Sequence, residues 1–354
     1  MERKAALSVL GTVSLVAALC ASSLALAGCD RNDPVVDARE KLGTVVTVTA
    51  YGEDRVAVGD AVDAAFDAMD RVAGQLDSYD ASSAISAANA YLAKNAIRAP
   101  LPPYSLEILN SVERLGVSEQ FSVTIGAAVG LYDFGGSGHV PTAAELDAVL
   151  EPRLERRGRN IYLKPFGLGK AGTVPPPSLD FGGASKGLAL DEALRTLASS
   201  GAVDAAILTS GSTTVTMGSK PDGSQWQVGI EDPRDTSSVV AVARGTGPFT
   251  VSTSGDYQQY FERDGVRYHH ILDPATGLPA SGLRSLTVIG ASSGVESDIL
   301  STALFVAGPD GAPAYALESG LALFLVDSEG RAQTVPAPEG ASFSITEGSG
   351  SEKP

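Results

Sequence analysis

The chain has 354 residues and a formal net charge of −16, from 42 acidic and 26 basic side chains. An acidic surface repels nucleic acid and anionic lipid headgroups, which disfavours both as partners, although it identifies no substrate. The two cysteines, Cys20 and Cys29, are too few for a disulfide framework or a cysteine-ligated metal site.

The first 28 residues predict a signal peptide of the lipoprotein kind. A short charged start precedes an apolar run over residues 5–26, and the small residues Ala27 and Gly28 precede Cys29, a pattern typical of cleavage before the cysteine. Cys29 is then the lipidated N-terminus of an exported protein, anchored to the outer face of the cytoplasmic membrane. The alternative is an uncleaved membrane anchor, because the run is near the length that spans a bilayer.

The first half of the mature chain predicts mainly helices. Residues 29–40 are expected to form a tether, and the folded domain is expected to span residues 41–335. Residues 55–76 carry apolar side chains at helical spacing, and Thr142 and Glu145 have the spacing of a capping box. The predicted elements are a strand at 41–51, helices at 55–76, 102–116 and 141–156, a polar turn at 77–83, a strand with a glycine-rich turn at 121–134, and a loop or hairpin at 157–177.

The second half is richer in strands. Helices are predicted at 187–199 and 298–306, and the polar residues 336–354 are expected to form a flexible tail. Because strands outnumber helices and hairpins are frequent, we expect an α+β or mixed α/β fold, with mixed sheets and packed helices, and not a doubly wound sheet. The predicted strands lie at 178–180, 203–208, 213–217, 226–230, 239–242, 249–252, 286–289 and 321–326.

Residues 180–187, D-F-G-G-A-S-K-G, lie between a predicted strand and a predicted helix. Glycines let the backbone approach a ligand closely, a helix N-terminus attracts anions, and Lys186 adds a mobile positive charge. The segment has neither the P-loop spacing nor the dinucleotide-binding glycine spacing. Taken alone, it fits phosphate binding and an ordinary tight turn equally well.

Asp298 and Thr302 are four residues apart and therefore share one face of the predicted helix. A carboxylate and a hydroxyl at that spacing suit a hard divalent cation with oxygen ligands. The alternative, which is the commoner case, is an acidic residue that complements the helix dipole in the first turn.

Two of the three histidines, His269 and His270, are adjacent in the run Y-H-H-I-L-D-P-A-T-G-L-P over residues 268–279. A strand end that delivers a histidine to a pocket is one interpretation, because histidine suits proton transfer near neutral pH. Two half-exposed strand histidines without a chemical role are the alternative. Upstream of the pair, Ser254 and Gly255 can offer a hydroxyl and an amide to a phosphate.

Two aromatic residues lie in stretches of small side chains, Tyr79 within residues 78–89 and Phe121 within residues 120–135. Both can stack on a flat ring. Taken alone, they are better explained as core aromatics.

Nine short segments follow one another from Leu42 to Val326: L-G-T, L-D-S-Y-D-A-S-S-A-I-S, F-S-V-T-I-G, L-Y-D-F-G, L-D-F-G-G-A-S-K-G, W-Q-V-G-I-E-D-P, T-S-G-D-Y, H-I-L-D-P-A-T-G-L-P and D-I-L-S-T-A-L-F-V. In this order they resemble the ApbE family, the FAD:protein FMN transferases. The resemblance implies an ApbE-like, T-fold-related architecture. It also implies Mg²⁺-dependent transfer of FMN from FAD to a threonine hydroxyl of an acceptor flavoprotein, with release of AMP.

The resemblance also implies roles for particular residues. Mg²⁺ is expected on the backbone carbonyl of Gly183, the carboxylate of Asp298 and the hydroxyl of Thr302. His270, and not His269, matches the family histidine and is expected to handle the proton of the nucleophile or to orient the phosphate, while Lys186 steadies the phosphate charge. Contacts to FAD are expected at Leu42, Tyr79, Gln120, Phe121, Ser122, Asp180, Lys186 and Leu272.

The chain departs from the family pattern at three places. Ser122 stands where the family usually has aspartate, Ala127 where it has proline, and residues 210–212 read S-G-S where the family has two glycines and an acid. These changes concern nucleotide affinity or selectivity. Two other functions therefore stay open, an FAD pyrophosphatase that yields FMN and AMP, and a non-catalytic FAD-binding lipoprotein.

Overall fold

The structure is a computed structural model that describes residues 33–95, 101–150, 154–157, 160–163 and 178–347. The predicted signal peptide, Cys29 and the end of the predicted tail lie outside these ranges. None of the helices within them is long and apolar enough to cross a membrane. In chain order the elements are β1 (Val35–Lys41), β2 (Thr44–Tyr51), α1 (Arg55–Leu76), α2 (Ala84–Asn95), α3 (Pro103–Leu115), α4 (Gly126–Tyr132), α5 (Ala143–Val149), β3 (Leu154–Arg157), β4 (Asn160–Leu163), α6 (Gly182–Ser200), β5 (Ala205–Ser210), β6 (Thr213–Met217), β7 (Trp226–Asp232), β8 (Asp235–Gly245), β9 (Thr250–Gly255), β10 (Tyr260–Arg263), β11 (Val266–His269), β12 (Leu283–Ile289), α7 (Gly294–Ser319), β13 (Ala322–Asp327), β14 (Ala332–Val335) and β15 (Phe343–Glu347).

Eight strands form the central sheet in the order β1-β2-β5-β6-β9-β12-β13-β14, and each neighbouring pair is antiparallel. A second antiparallel sheet has the order β15-β8-β7. The hairpins β3–β4 and β10–β11 pair separately. The predicted α+β class is confirmed, and the sheets of the described residues are antiparallel throughout.

Helices cover one face of the central sheet, and the small sheet covers the other. On the helical side α1, α6 and α7 pack together over a large apolar core. On the opposite side Trp226 and Ile230 of β7 and Ala243 of β8 pack in one cluster with Ile289 of β12 and Phe324 of β13. Apolar burial stabilises both interfaces by roughly 25 cal/mol per Å², which holds the central sheet between two layers.

Some elements begin and end where the sequence predicts. Asp54 caps α1 by accepting hydrogen bonds from the amides of Val56 and Ala57, at 2.9 and 3.3 Å. The apolar stripe of α1 is buried, so the predicted range 55–76 is confirmed. The capping box of Thr142 and Glu145 is also confirmed, although α5 ends at residue 149 and not at 156.

The strand predicted within residues 121–134 is wrong, because α4 occupies residues 126–132. A tight turn precedes the helix, in which the Ser122 hydroxyl accepts the Thr124 amide at 3.2 Å. The Tyr132 hydroxyl fixes the other end by donating to the Gly277 carbonyl at 2.9 Å. Three β-branched residues at 123–125 imitate a strand, but distant contacts decide the local structure.

Three helices exceed the prediction: α2 is new, α6 begins earlier, and α7 spans Gly294–Ser319 where the predicted range is 298–306. Helix α2 has no counterpart among the predicted elements, because its alanine-rich sequence has no clear apolar stripe. The hydroxyl of Ser83 accepts the Ser86 amide at 3.1 Å before its first turn. Helix α6 begins at Gly182, whereas its predicted start is residue 187, so its glycine pair forms the first turn of the helix.

Both segments predicted to be flexible contain strands. Residues 35–40, assigned to the tether, form all but the last residue of β1, which pairs along its length with β2. The basic side chains of β1 stabilise it through ion pairs to α1, between Arg39 and Asp63 and between Lys41 and Asp70. Residues 343–347, assigned to the tail, form β15 because apolar side chains of this segment pack against the core of the small sheet.

Helices α6 and α7 touch backbone to backbone at Gly187 and Gly294. A Cβ atom on Gly187 would lie 2.1 Å from the Gly294 carbonyl oxygen, and one on Gly294 would lie 2.7 Å from the Gly187 carbonyl oxygen. Contacts this short do not occur in proteins, so only glycine allows the two helices to approach so closely.

We expect Gly187→Ala to destabilise the fold by about 3 kcal/mol or more, because the helices must separate. Gly59 is the matched control, since it also lies within a helix but no atom lies within 4 Å of its Cβ position. Gly59→Ala should stabilise the protein by roughly 0.5–1 kcal/mol. Urea unfolding of both variants measures the difference, and equal effects would contradict the close approach.

Candidate active site

One cleft brings together segments from the whole chain. It lies between the N-terminal halves of α6 and α7, and is bordered by the β1–β2 turn, the end of β9 and the segment after β11. Every residue to which the family resemblance assigns a contact with FAD, the metal or the reacting groups lines this cleft, although their individual roles stay predictions. These residues are Leu42, Tyr79, Gln120, Phe121, Ser122, Asp180, Gly183, Lys186, His270, Leu272, Asp298 and Thr302.

Asp298 places a buried negative charge in the cleft, since the residue is only 4% exposed. Its Oδ2 accepts the Gly187 amide at 3.0 Å, and its Oδ1 accepts the hydroxyls of Thr213 and Ser252 at 3.0 and 3.3 Å. These donors are neutral, and no basic side chain of the described residues forms an ion pair with this carboxylate. A buried charge without a partner of opposite sign is costly, so the site suits a cation.

Thr302 and Gly183 complete a set of oxygen donors beside Asp298. A Cβ atom on Gly183 would lie 3.5 Å from the Thr302 hydroxyl and 3.1 Å from the ring of Phe121, so the start of α6 lies directly against this hydroxyl. A carboxylate, a hydroxyl and a backbone carbonyl are donors that Mg²⁺ accepts. The described ranges contain no cluster of three or more His, Cys, Asp or Glu side chains suited to a metal, so a cation here needs further ligands from substrate or water.

The position of Asp298 in α7 argues against one of the two interpretations of this residue. The helix begins at Gly294, where Ser293 caps it. Asp298 therefore lies in the second turn and faces the cleft together with Thr302. Dipole complementation in the first turn does not explain it.

A chain of buried hydroxyls connects Asp298 to Thr302. Ser252 lies 3.2 Å from Ser301, Ser301 lies 2.9 Å from Ser254, and Ser254 lies 3.3 Å from Thr302, each distance between hydroxyl oxygens. This network holds the carboxylate and the hydroxyl in one arrangement.

The first turn of α6 offers a surface for an anion. The helix has no side-chain cap at Phe181, and Gly182 and Gly183 line the cleft. The Lys186 ammonium donates to the Gly182 carbonyl at 3.2 Å and so stays at the helix start. The helix dipole and the ammonium together favour a phosphate group.

Asp180 lies beside this anion surface. Its Oδ1 accepts the Gly182 amide at 2.8 Å. Burial raises the pKa of Asp180, while the Gly182 amide and the Lys186 ammonium act in the opposite direction. The carboxylate therefore holds the first amide of α6 and lines the cleft.

The two histidines have different environments. His269 is buried at the end of β11, where its Nε2 donates to the Ala280 carbonyl at 2.9 Å and its ring meets Phe305 edge-on. The Nδ1 atoms of both rings are buried without a hydrogen-bond partner among the described residues, but only His270 lines the cleft. Burial, reinforced by His269 and Lys186, lowers the pKa of His270 to about 4, so at pH 7 the ring is neutral and can accept a proton.

Leu42 reaches the cleft from the tight turn between β1 and β2. Its φ is 53° and that of Gly43 is 71°, while the flanking residues Lys41 and Thr44 pair with each other. The left-handed conformation costs a non-glycine residue about 1 kcal/mol or more. Backbone strain of this kind is commonly found at functional sites.

The remaining predicted contacts differ in exposure. Tyr79 is 78% exposed at the edge of the cleft, so it is not a core aromatic, whereas Phe121 and Leu272 are buried. The Ser122 hydroxyl lies 2.8 Å from that of Thr124, so this side chain is engaged within its own turn.

The sequence analysis missed the polar residues that support the site. Thr213, Ser252 and Ser301 give no signal of their own, because small hydroxyl side chains in strands and helices are common. Ser254 lines the cleft as predicted, but Gly255 does not, since it lies in the β9–β12 pairing. Further lining residues without a prediction are Asp77, Ser78, Ser185, Ser212, Gln258, Gln259 and Pro274.

Comparison with known proteins assigns the chain to a family. The ApbE family matches residues 42–325, which is most of the chain. The chain belongs to the ApbE family. The expected architecture is therefore confirmed, and seven of the nine segments that carry the resemblance contribute residues to the cleft.

Relatives and solved structures agree with this assignment. A FAD:protein FMN transferase of Klebsiella pneumoniae (strain 342) is 28% identical and covers 94% of this chain and 97% of its own length. One from Treponema pallidum (strain Nichols) is 31% identical over 75% of this chain and 77% of its own. The crystal structure of the ApbE protein of Thermotoga maritima MSB8 has a TM-score of 0.72 at 26% identity, over 85% of this chain and 96% of that one. The apo form of the Pseudomonas stutzeri flavinyl transferase ApbE has a TM-score of 0.69 at 28% identity, over 91% and 96%.

The lowered pKa of His270 predicts a pH-dependent stability. The unfolded chain takes up a proton near pH 6.5 but the folded ring only near pH 4, so this contribution is complete above pH 6.5 and is lost as the pH falls towards 4. Between pH 7.5 and 5 the wild type should lose about 2 kcal/mol more unfolding free energy than His270→Gln. Guanidinium unfolding at both pH values measures this, and parallel losses would contradict a buried neutral ring.

Proposed function

We propose that the protein transfers FMN from FAD to a threonine hydroxyl of an acceptor flavoprotein, depends on Mg²⁺ and releases AMP. Membership of the ApbE family makes it a transferase that acts on flavin. The finer proposal rests on three features that meet in one cleft. They are the buried carboxylate of Asp298, the start of α6 with Lys186, and the neutral ring of His270.

The start of α6 is the proposed site of the FAD pyrophosphate. The dipole of the helix and the Lys186 ammonium both stabilise negative charge that increases on the phosphates during transfer. Leu42, Tyr79 and Phe121 offer apolar and aromatic surface for the rings of the dinucleotide. Ser122 offers a weaker acceptor than an aspartate at this position would.

The residues present fit a magnesium ion. The Gly183 carbonyl, the Asp298 carboxylate and the Thr302 hydroxyl would hold it, and the ion would neutralise pyrophosphate charge when bound. The Gly187 amide and the hydroxyls of Thr213 and Ser252 keep the Asp298 carboxylate oriented.

His270 is the proposed acceptor for the proton of the attacking threonine. The threonine oxygen forms a bond to the FMN phosphorus, the bond from that phosphorus to the AMP phosphate oxygen breaks, and the hydroxyl proton passes to a ring nitrogen. Because the ring is neutral at pH 7, it suits proton transfer better than electrostatic stabilisation of a phosphate. His269 holds its wall of the cleft through the Ala280 carbonyl.

The proposed location is the outer face of the cytoplasmic membrane, through a lipid on Cys29 after export. The motif at residues 26–29 supports this proposal. Labelling with a radioactive fatty acid in the wild type, and its loss in Cys29→Ser, tests the anchor.

We expect Asp298→Asn to lower FMN transfer by about 10²-fold or more, because the neutral amide no longer attracts the cation. Asp327→Asn is the matched control, since Asp327 lies at the end of β13 outside the cleft. The assay combines enzyme, FAD, Mg²⁺ and an acceptor flavoprotein domain, and follows covalent flavin fluorescence on a denaturing gel. Unchanged labelling by Asp298→Asn would contradict the metal assignment.

The same assay separates the alternative functions. Release of AMP and free FMN without an acceptor would identify a pyrophosphatase that uses water as the nucleophile. Tight FAD binding in Mg²⁺ without either product would identify a non-catalytic flavin-binding protein. Either result, together with an acceptor that stays unlabelled, would contradict the transferase proposal.

We expect Leu42→Asn to weaken FAD binding roughly tenfold, equivalent to about 1.4 kcal/mol, because the ligand loses an apolar contact. Its unfolding free energy should change by less than about 1 kcal/mol, because asparagine tolerates the left-handed conformation of the turn. Asp264→Asn is the control, since Asp264 has the same φ of 53° in another hairpin. Flavin fluorescence titration and urea unfolding measure both effects, and unchanged FAD affinity would contradict the contact.

A further inference from the structure

Helices α6 and α7 together carry the residues proposed to hold the cation, so their relative position sets the geometry of the site. Gly183 belongs to α6, whereas Asp298 and Thr302 belong to α7. Asp191 also lies on α6 but outside the cleft lining, and the proposed chemistry gives it no role.

The Asp191 carboxylate accepts hydrogen bonds from the first turn of α7. The residue is 7% exposed, and its oxygens accept the amides of Gly294 and Val295 at 2.7 and 2.8 Å. Amides at a helix start have no partner within their own helix. Asp191 therefore caps α7 from a neighbouring helix, while Ser293 provides the ordinary local cap.

A second contact of the same kind lies one turn away. The Gly187 amide of α6 donates to the Asp298 carboxylate of α7 at 3.0 Å. Each helix thus offers a carboxylate to the backbone of the other. On α6 the donor Gly187 and the carboxylate of Asp191 are four residues apart. On α7 the donor Gly294 and the carboxylate of Asp298 have the same spacing. Sliding one helix along the other breaks both contacts at once.

Asp191 carries its charge at neutral pH. Burial raises the pKa of Asp191 to about 6, partly offset by the amides of Val295 and Gly294 and by Arg195, while Glu107 of α3 acts with burial. At pH 7.5 both carboxylate oxygens therefore accept hydrogen bonds.

We propose that Asp191 is a positioning residue, which sets the register of α7 against α6 and thereby the separation of the Gly183 carbonyl from the Asp298 carboxylate. The inference rests on the proposed Mg²⁺-assisted site. Asp191 touches neither substrate nor cation, and acts through the amides of Gly294 and Val295.

Asp191→Asn tests this role, because it keeps the shape of the side chain but replaces one acceptor oxygen by an NH₂ donor. That donor faces a backbone N–H group, so one of the two hydrogen bonds is lost. At pH 7.5 the Mg²⁺ concentration that gives half-maximal FAD binding should rise about tenfold. Saturating Mg²⁺ should restore the wild-type affinity for FAD. Flavin fluorescence with FAD, MgCl₂ and no acceptor measures both quantities, so the readout does not depend on transfer.

Asp54→Asn is the matched control, because Asp54 also caps a helix through two amides but lies at the start of α1, away from the cleft. It should leave the Mg²⁺ requirement unchanged, because asparagine still caps the helix. Asp191→Glu keeps the charge and both acceptors but moves them by one methylene, and should give a smaller rise than Asp191→Asn.

An unchanged Mg²⁺ requirement in both Asp191 variants would overturn the inference, and so would an equal rise in Asp54→Asn, which would indicate a general loss of stability. A wild type that binds FAD with Mg²⁺ but transfers no FMN would refute the transferase proposal. The titration would still decide the role of Asp191.

Discussion

The reciprocal contact between α6 and α7 is the constraint on which the site depends. Two glycines, Gly187 and Gly294, bring the helix backbones together, and two buried carboxylates, Asp191 and Asp298, each accept amides from the opposite helix. Buried carboxylates are tolerated only where such donors are present. Their presence here ties the packing of the core to the geometry of the cleft.

The electrostatics of the cleft follow from this arrangement. Asp298 accepts three hydrogen bonds from neutral donors and has no basic partner among the described residues, while Lys186 lies at the start of α6. A bound dinucleotide would add further negative charge, which the proposed Mg²⁺ would offset. A single protein carboxylate suffices if the phosphates supply other oxygen ligands, which explains why no acidic cluster marks the site.

The histidine pair shows how position separates two identical side chains. His269 is buried between Phe305 and the Ala280 carbonyl, so it stabilises the wall of the cleft. His270 is one residue further along the chain, where the β10–β11 hairpin has ended, and its ring lines the cleft with an unpartnered nitrogen. Burial lowers the pKa of His270, so the ring is neutral at pH 7.

Local chemistry by itself determined helix α1, strand β6, the capping box of α5 and the membership of one family, because caps, apolar periodicity and short motifs are properties of neighbouring residues. The sequence also identified the residues of the cleft through family resemblance. Only the tertiary structure decided that residues 35–41 and 343–347 are strands, that residues 126–132 are helical, and that Asp191 and Asp298 each hold the opposite helix. These features depend on partners far away in the chain, such as Gly277 for Tyr132 and β8 for the tail, and no local pattern records a contact between distant segments.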